Sequence, residues 1–559
     1  MFACTLLEVA SFQVTGDMKK KASCSHPQWT AVFLMSATAL IGAPYLPAQS
    51  VDWMGYNGTL SGDHYSPLTT ITRSNVDSLR EVCTFDTNEQ IGFQAVPVVI
   101  AGTMYITTDT ATYALDATSC KLRWHNSHAY SPLSHLANNH GVAFMNGRLF
   151  RTSNDVHGFA IEAATGRTLW DVSFGDPSKG ESAPIAPLAW NGLVFVGNAG
   201  GDVFGVRGRV YALDAADGHV VWQFNVVPDS GAARRTWTRA SAKNPPTGGG
   251  LWTSFTMDAG DGILYVPAGN PAPDFVVSLH PGLSLYTNAL VALDARTGRV
   301  LSYVQPTKGD FHDWDVSAAP AVITTRNGKQ ILATAGKSGL LYGIDRSGAR
   351  PSGTDLGTYS ILYSTPTTTR TNVNIPLSST HYTRFCPGTQ GGTEWNGPAF
   401  NADLNLLYVT AVDWCSSVKL QRLDTLKGKA ASPWTGSDDA QAAFGKFDPK
   451  SSWKGWITAI DADSGMVRWK YRSTTPLLAG ITATASELVF SGDMNGDVFA
   501  LDGRTGKVLW RSATNNAIGG GVITYAVGGR QYVAVAAGLK SAIWPVKSQS
   551  ARVVIYGLP

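Results

Sequence analysis

Short stretches of alternating apolar and polar residues recur along the chain, each followed by a similar turn pattern. A unit consists of an apolar strand, an Asp-x-x-x-Gly turn or a close variant of it, and a second strand that ends in an aromatic residue, usually Trp. Alternation with a period of two is typical of β-strands, and Asp and Gly favour tight turns, so each unit predicts a β-hairpin. The units are YALDATSCKLRW (113–124), AIEAATGRTLW (160–170), YALDAADGHVVW (211–222), VALDARTGRVLSY (291–303), TAIDADSGMVRW (458–469) and FALDGRTGKVLW (499–510), with incomplete versions in YGIDRSG (342–348) and LNLLYVTAV (404–412).

The spacing of these units predicts the architecture. Trp124 and Trp170 are 46 residues apart, and Trp469 and Trp510 are 41 residues apart. Repeats of this length are typical of propeller blades or of a solenoid. A further apolar strand precedes most units, which gives about four strands per repeat, as propeller blades have. The eight units therefore predict an all-β, eight-bladed β-propeller with four-stranded antiparallel blades.

An open solenoid is the alternative, and the two architectures differ at the chain ends. The C-terminal segment ARVVIYGLP (551–559) and the early segment REVCTF (80–85) both have strand patterns. Pairing between them would close the repeats into a ring, and closure removes exposed strand edges. We therefore favour the propeller.

The N-terminal 50 residues have the features of a removable signal peptide. Lys19, Lys20 and Lys21 precede an apolar stretch at 30–46, and Ala48-Gln49-Ser50 has the small residues of a cleavage site. A transmembrane anchor is disfavoured because the apolar stretch contains Pro and is shorter than the ~20 residues that a span needs. Residues 51–559 are then expected to form a single exported propeller domain without a membrane span. Its formal charge is close to neutral and shows no basic stripe, so nucleic acid is not an expected partner.

Four cysteines remain after removal of this segment: Cys83, Cys120, Cys386 and Cys415. An even number in an exported chain predicts two disulfides, with three possible pairings. The sequence contains no C-x-x-C-H motif, so no c-type haem is expected to be attached to the chain.

Several loops between the repeats are similar to those of one enzyme family. The segments are GGGLW (248–252), AGNPAPD (268–274), HPGLSLYTNALVALDARTG (280–298), FHDWDVSAAPAV (311–322), CPGTQGGTEWNGPAF (386–400) and GDMNGDVFALDGRTGKVLW (492–510). In order and spacing they resemble the quinoprotein alcohol dehydrogenases. The resemblance covers about residues 51–559.

The resemblance implies a periplasmic oxidoreductase that uses pyrroloquinoline quinone (PQQ) and Ca²⁺. In that family PQQ lies in the central channel on a Trp, the metal ion polarises a quinone carbonyl, and a carboxylate accepts the alcohol proton. The implied partners are a small-molecule alcohol as substrate and a separate soluble c-type cytochrome as electron acceptor. The resemblance also implies a Cys386–Cys415 disulfide, which leaves Cys83 to pair with Cys120.

The resemblance assigns roles to individual residues. The positions that match cofactor-binding residues are Trp252, Lys337, Trp544 and Ala186. Asn270 in GNPAPD and Asp202 in GNAGGDVFGVRG match the metal ligands. The family usually has Glu at the second of these positions, and here the shorter Asp is followed by one extra residue before Gly205.

Other positions depart from the family pattern. The family's base is Asp in a Gly-Asp-Asn-Leu-Tyr-Thr-Asn segment, and this chain has Leu283 there. A cofactor-binding Glu appears as Gln94, while Ser134-His135 and His140 stand where methanol dehydrogenases have a cysteine pair and an Arg. Leucine cannot accept a proton, so weak turnover of simple alcohols is expected, and the alternative function is a catalytically weakened or non-enzymatic propeller that binds PQQ or another ligand. The aspartates of neighbouring loops could replace the base, but the sequence does not single out any of Asp274, Asp310, Asp313 and Asp315.

Overall fold

The predicted hairpins assemble into four-stranded antiparallel sheets. The computed structural model describes residues 50–130, 138–241, 243–348, 357–439, 441–547 and 549–559. The predicted signal segment before Ser50, and the Ser134-His135 pair, lie outside these residues. Within them, eight sheets have four successive antiparallel strands, and we number these sheets as blades 1–8.

The first four blades follow one another in the chain. The strands of blade 1 are Val98–Ile100, Thr103–Thr107, Ala111–Asp116 and Leu122–Ser127. Those of blade 2 are Ala143–Met145, Arg148–Ser153, His157–Glu162 and Thr168–Ser173. Those of blade 3 are Leu188–Trp190, Leu193–Gly197, Arg209–Asp214 and Val220–Asn225. Those of blade 4 are Thr256–Asp258, Ile263–Pro267, Leu290–Asp294 and Val300–Val304.

The other four blades repeat the same order. The strands of blade 5 are Ala321–Thr324, Gln330–Ala335, Leu340–Asp345 and Ser360–Pro366. Those of blade 6 are Ala399–Asn401, Leu406–Asp413, Lys454–Asp461 and Val467–Ser473. Those of blade 7 are Thr482–Thr484, Leu488–Gly492, Asp497–Asp502 and Val508–Ala513, with Tyr65–Ser66 added in parallel to the first. Those of blade 8 are Val522–Val527, Arg530–Ala537, Arg552–Gly557 and, from the start of the chain, Arg80–Asp86.

A few short elements lie outside the blades. The additional strand pairs are Gly92–Phe93 with Asn138–Asn139, Thr247–Gly248 with Pro271–Ala272, and Ser416–Val418 with both Thr383–Phe385 and Lys446–Phe447. The helical elements are the α-helix Gly231–Arg235 and the 3-10 turns Val76–Ser78, Pro177–Lys179, Val277–Leu279 and Lys450–Ser452. None of the helices in the described ranges is both long and apolar enough to cross a membrane.

Several of the tryptophans that end the hairpins dock on the next blade. The indole N–H of Trp124 donates to the Ala163 carbonyl at 3.0 Å, and that of Trp170 donates to the Ala215 carbonyl at 3.1 Å. Gly166 has a φ of 77°, and a Cβ there would lie 2.6 Å from the Trp124 ring. Glycine is therefore needed both for its positive φ and for the close approach of the indole.

The ends of the chain meet in blade 8. Strand Arg552–Gly557 pairs in antiparallel orientation with Arg80–Asp86, as predicted for a closed ring. The Cys83–Cys120 disulfide joins this last blade to blade 1, and the Tyr525 hydroxyl donates to the Ala117 carbonyl of blade 1 at 2.6 Å. The propeller prediction is confirmed, as are both disulfides, since Cys386 pairs with Cys415.

Candidate functional site

The residues that resemblance assigned to the site share one end of the blades. In an antiparallel blade, the segment before the first strand and the loop after the second strand lie at the same end. Trp252 precedes the first strand of blade 4, and Asn270 follows its second strand. Asp202 and Lys337 follow the second strands of blades 3 and 5. The propeller topology therefore brings loops from three blades together.

Three carboxylates converge at this end. Oxygen atoms of Asp202, Asp274 and Asp313 lie within 4.8 Å of one another. Asp274 and Asp313 are buried, with 1% and 0% of their surface exposed. Within the described residues, three carboxylate oxygens lack a hydrogen-bond partner: both oxygens of Asp274 and Oδ1 of Asp313. Buried anionic oxygens without partners are costly, so this acidic cluster has the chemistry of a site for a hard cation.

Lys337 links the acidic cluster to the aromatic floor. Its ammonium lies 3.2 Å from Asp313 Oδ2 and 3.0 Å from Asp315 Oδ2. The same nitrogen lies 5.6 Å from the ring centroid of Trp252, within the range of a cation–π interaction. The second oxygen of Asp315, Oδ1, accepts a hydrogen bond from the backbone N–H of Asn270 at 2.8 Å. Both oxygens of Asp315 are thus held in place.

The electrostatics reflect crowding of like charges. Burial raises the pKa of Asp274 well above its usual range, and the charges of Asp202, Asp313 and Asp315 raise it further. Burial, with the Asp315 charge, raises the pKa of Asp202 to about 6, although Lys337 acts in the opposite direction. Burial alone would lower the pKa of Lys337, but the Asp313 and Asp315 carboxylates outweigh it and the pKa is raised. Lys337 is therefore cationic at neutral pH.

The floor of the site is aromatic and apolar. Trp252 packs against an apolar cluster that includes Trp395 and Trp544. The backbone N–H of Ala186 donates to the Thr253 carbonyl at 2.9 Å, and the Ala186 carbonyl accepts from the Ser254 hydroxyl at 3.0 Å. Ala186 and Trp544 thus both lie close to the segment that carries Trp252.

His140 adds polar atoms beside this floor. Its ring centroid lies 6.5 Å from that of Trp252 and 6.1 Å from that of Trp395. The side chain is fully buried, and neither ring nitrogen has a hydrogen-bond partner in the part of the chain that the structure describes. Burial lowers the pKa of His140 to about 3, so the ring is neutral at neutral pH. Unpaired buried nitrogens beside the Trp252 ring fit a polar aromatic ligand.

Leu283 lies in a different environment from the acidic cluster. The residue is 39% exposed, and its carbonyl accepts a hydrogen bond from the Gln305 side chain at 2.6 Å. It lines a small recess together with Asn288 and Asp310. Asp310 is already engaged there, because its carboxylate accepts hydrogen bonds from the backbone N–H groups of His312 and Trp314.

Sequence reasoning gave Asp202 and Asn270 as metal ligands and assigned no role to Asp274 and Asp313. The side-chain amide nitrogen of Asn270 donates to the Pro271 carbonyl at 3.2 Å. Asn270 and Asp274 both lie in the loop that follows strand Ile263–Pro267. The aspartates of GNPAPD and FHDWD are candidates for the base from the sequence, but not for the metal site. Their convergence with Asp202 depends on contacts between blades, which no local pattern reveals.

Comparison with known proteins identifies relatives along most of the chain. Residues 53–352 match the family described as the β-propeller domain of glucose/ethanol/alcohol dehydrogenase, and residues 453–553 match the family of the outer membrane protein assembly factor BamB. The dehydrogenase subunit of an alcohol dehydrogenase (quinone) from Gluconacetobacter polyoxogenes is 30% identical, over 87% of this chain and 71% of its own length. The quinoprotein alcohol dehydrogenase PedH from Pseudomonas putida is 27% identical over 93% of each chain.

Solved structures agree with these sequence matches. The quinohemoprotein alcohol dehydrogenase ADHIIG from Pseudomonas putida HK5 has a TM-score of 0.79 and 26% identity, covering 91% of this chain and 80% of its own. A europium-containing methanol dehydrogenase has a TM-score of 0.77 and 24% identity, which supports the fold alone.

Proposed function

This chain belongs to the PQQ β-propeller family of glucose, ethanol and alcohol dehydrogenases, and we propose that it oxidises an alcohol with bound PQQ. The observation that carries the proposal is the position of Lys337. One ammonium group pairs with the buried Asp315 carboxylate and lies over the Trp252 ring, next to an acidic cluster. A cation, a carboxylate base and an aromatic platform are the groups that alcohol oxidation by a quinone cofactor needs.

We propose that the acidic cluster of Asp202, Asp274 and Asp313 holds the metal ion. Carboxylate oxygens are the ligands that Ca²⁺ prefers, and this ion accepts six to eight of them in flexible geometry. The unpaired oxygens of Asp274 support this assignment. Asn270 stays a proposed ligand on the strength of the family resemblance. The ion would balance the charge of the cluster and act as a Lewis acid beside the cofactor.

The PQQ site that we propose is formed by Trp252, Lys337 and His140, with Ala186 and Trp544 supporting the floor. The indole of Trp252 provides a stacking surface, and Lys337 provides positive charge for cofactor oxygens. His140 can donate from one ring nitrogen and accept at the other. Bound PQQ supplies the two-electron acceptor that the protein side chains lack.

Asp315 is the residue we propose as the base that accepts the alcohol proton. Its carboxylate is buried and oriented by Lys337 and by the Asn270 N–H. An ionised carboxylate has about four acceptor positions, so two remain for a substrate hydroxyl. The expectation of weak turnover, which rests on Leu283, stays a prediction, and Asp315 offers a base that does not depend on that position.

Membership of this dehydrogenase family also suggests where the protein acts and what accepts its electrons. We propose export to the periplasm, with electrons passed to a separate soluble c-type cytochrome. The resemblance of its loops to those of the quinoprotein alcohol dehydrogenases supports both parts of this proposal.

The test is reconstitution of the purified chain with PQQ and CaCl₂, followed by dye reduction over a panel of alcohols. Substrate-dependent dye reduction that needs both additions is expected. Tight PQQ binding without any alcohol-dependent reduction would instead support the non-enzymatic PQQ-binding propeller.

A further inference from the structure

A second group of metal-ligating side chains joins blades 1 and 2. His128 directly follows the last strand of blade 1, whereas Asp155 lies in the turn between the second and third strands of blade 2. His157 is the first residue of that third strand. We propose that these three residues form a binding site for a late first-row divalent metal ion of the Zn²⁺ type. The site is independent of the proposed PQQ chemistry.

The geometry is close to that of a three-ligand site. One ligand atom from each of His128, Asp155 and His157 lies within 4.8 Å of the others. Ligand atoms on a tetrahedral zinc ion, with bonds of about 2.1 Å, lie roughly 3.4 Å apart. Small rotations of partly exposed side chains can close this difference. The side chains keep 21%, 16% and 31% of their surface exposed, respectively, so an ion can enter from solution.

Neighbouring groups orient these ligands. Nδ1 of His157 bonds to a carboxylate oxygen of Asp171 at 2.6 Å, which leaves Nε2 for a metal ion. The Ser153 hydroxyl donates to Oδ1 of Asp155 and leaves Oδ2, the oxygen nearest His128. Carboxylate–histidine pairs of this kind fix the tautomer and direction of metal-binding imidazoles.

Packing also restricts the two imidazoles. The ring of Phe159 lies 4.5 Å from the His128 ring and 6.1 Å from the His157 ring, measured between centroids. The histidine rings are 5.5 Å apart at an angle of 36°. A shared aromatic support lowers the cost of ordering both ligands when an ion binds.

A hydrogen-bonded pair without a metal ion is the simpler interpretation, because His128 Nε2 lies 2.9 Å from Asp155 Oδ2. That pair and the His157–Asp171 pair account for each histidine separately, but not for the approach of the two imidazole rings to within 5.5 Å of each other. The exposed group of Asp214, Asp217 and His219 offers a contrast, since it has a single imidazole. Two imidazoles and one carboxylate favour Zn²⁺, Ni²⁺ or Cu²⁺ over Ca²⁺, which prefers oxygen ligands.

The experiment is calorimetric titration of ZnCl₂ into the full-length chain after EDTA treatment and saturation with CaCl₂. The calcium fills the acidic cluster, so that zinc reports on nitrogen-containing sites. We expect wild-type protein to bind one more zinc ion than His128→Gln or His157→Gln. The control is His125→Gln, since His125 is an exposed histidine on the strand that His128 follows, and its ring stacks on Tyr113. It should bind zinc as wild type does.

Asp171→Asn provides a milder variant that keeps all three ligands. Loss of a group that orients a ligand typically weakens metal binding by about 10–100-fold, and this variant should fall in that range. Circular dichroism of each variant checks the fold. Identical zinc isotherms for wild type, His157→Gln and Asp171→Asn would overturn the proposal, as would equal loss in the His125→Gln control. Failure of PQQ-dependent activity would leave these zinc isotherms unchanged.

Discussion

The ammonium of Lys337 lies 3.0 Å from Oδ2 of Asp315, and both side chains are buried. The backbone N–H of Asn270 holds the other carboxylate oxygen at 2.8 Å. A carboxylate fixed at both oxygens loses little orientational freedom when a substrate hydroxyl arrives, which suits a general base. The same ammonium lies 5.6 Å from the centroid of the Trp252 ring.

The first prediction concerns Asp315. Asp315→Asn keeps the shape of the side chain but removes its basicity, so kcat for alcohol oxidation should fall by about 10²–10⁴-fold. PQQ affinity is measured in the same variant, because Asp315 pairs with Lys337, which we propose as a PQQ contact. Steady-state dye reduction at matched PQQ occupancy measures the effect. Glu394→Gln removes another buried carboxylate whose charge acts on Lys337. It should lower kcat much less than Asp315→Asn does. Equal losses in the two variants would show that charge, and not proton transfer, is responsible.

The second prediction concerns the sequence-based alternative at Leu283. If Asp315 is the base, Leu283→Asp should leave kcat close to the wild-type value, because proton transfer then does not depend on a carboxylate at this position. Leu283→Asn is the matched control, because it has the same shape without a basic carboxylate. A large rise in kcat with Asp but not with Asn would restore the interpretation that wild-type turnover is limited by the missing base at this position.

The third prediction concerns the acidic cluster. Ca²⁺ should raise the Tm of EDTA-treated protein. At a free Ca²⁺ concentration 100 times Kd, the free energy of unfolding should rise by about 2.7 kcal/mol. Asp274→Asn removes a ligand and should reduce this increase clearly. Before calcium is added, the same variant should be somewhat more stable than wild type, because it relieves repulsion among buried carboxylates. Differential scanning fluorimetry with and without Ca²⁺ tests both signs.

Asp258→Asn is a useful control for that experiment. Asp258 pairs with Arg346 at 2.7 Å, away from the acidic cluster. The Asp258→Asn variant should therefore show the same calcium-induced rise in Tm as wild type. An unchanged increase in Asp274→Asn would mean that calcium binds elsewhere.

The blades could be predicted from the sequence because their signals are local. Alternation and the Asp-x-x-x-Gly turn fix each hairpin within about a dozen residues, as in 211–222. Closure by Arg552–Gly557 was also predictable, since few other partners remain for that strand. The acidic cluster was not, because Asp202 lies in a loop of blade 3, Asp274 in a loop of blade 4, and Asp313 in the connection between blades 4 and 5. Their approach depends on the tertiary fold, as does the pairing of Asp315 with Lys337.

The fourth prediction concerns the aromatic floor. Trp252→Ala removes a stacking surface worth roughly 0.5–1.5 kcal/mol beyond its buried area, so PQQ affinity should fall clearly. Trp252→Phe retains an aromatic face and should recover part of the affinity. Fluorescence titration of the metal-loaded protein with PQQ measures both. Unchanged affinity in Trp252→Ala would place the cofactor elsewhere.

The fifth prediction compares the two disulfides, which close loops of similar length, with sequence separations of 37 and 29 residues. The chain-entropy model gives each about 3–4 kcal/mol of stabilisation, so replacing either pair by serine should lower the Tm by a similar amount. Their effects on activity should differ. Cys83–Cys120 joins blades 8 and 1, whereas Cys386 precedes Pro387, whose carbonyl accepts a hydrogen bond from the Trp314 indole at 3.3 Å.

Trp314 lies between Asp313 and Asp315 in the chain, so loosening of the Cys386–Cys415 loop should disturb the base and the acidic cluster together. We therefore expect the Cys386→Ser/Cys415→Ser variant to lose both calcium affinity and kcat below its Tm. The Cys83→Ser/Cys120→Ser variant should retain both and lose only thermal stability. Calcium titration and dye reduction at a temperature where both variants are folded separate the outcomes. Equal losses of activity would mean that ring closure, and not the loop beside Trp314, controls the geometry of the site.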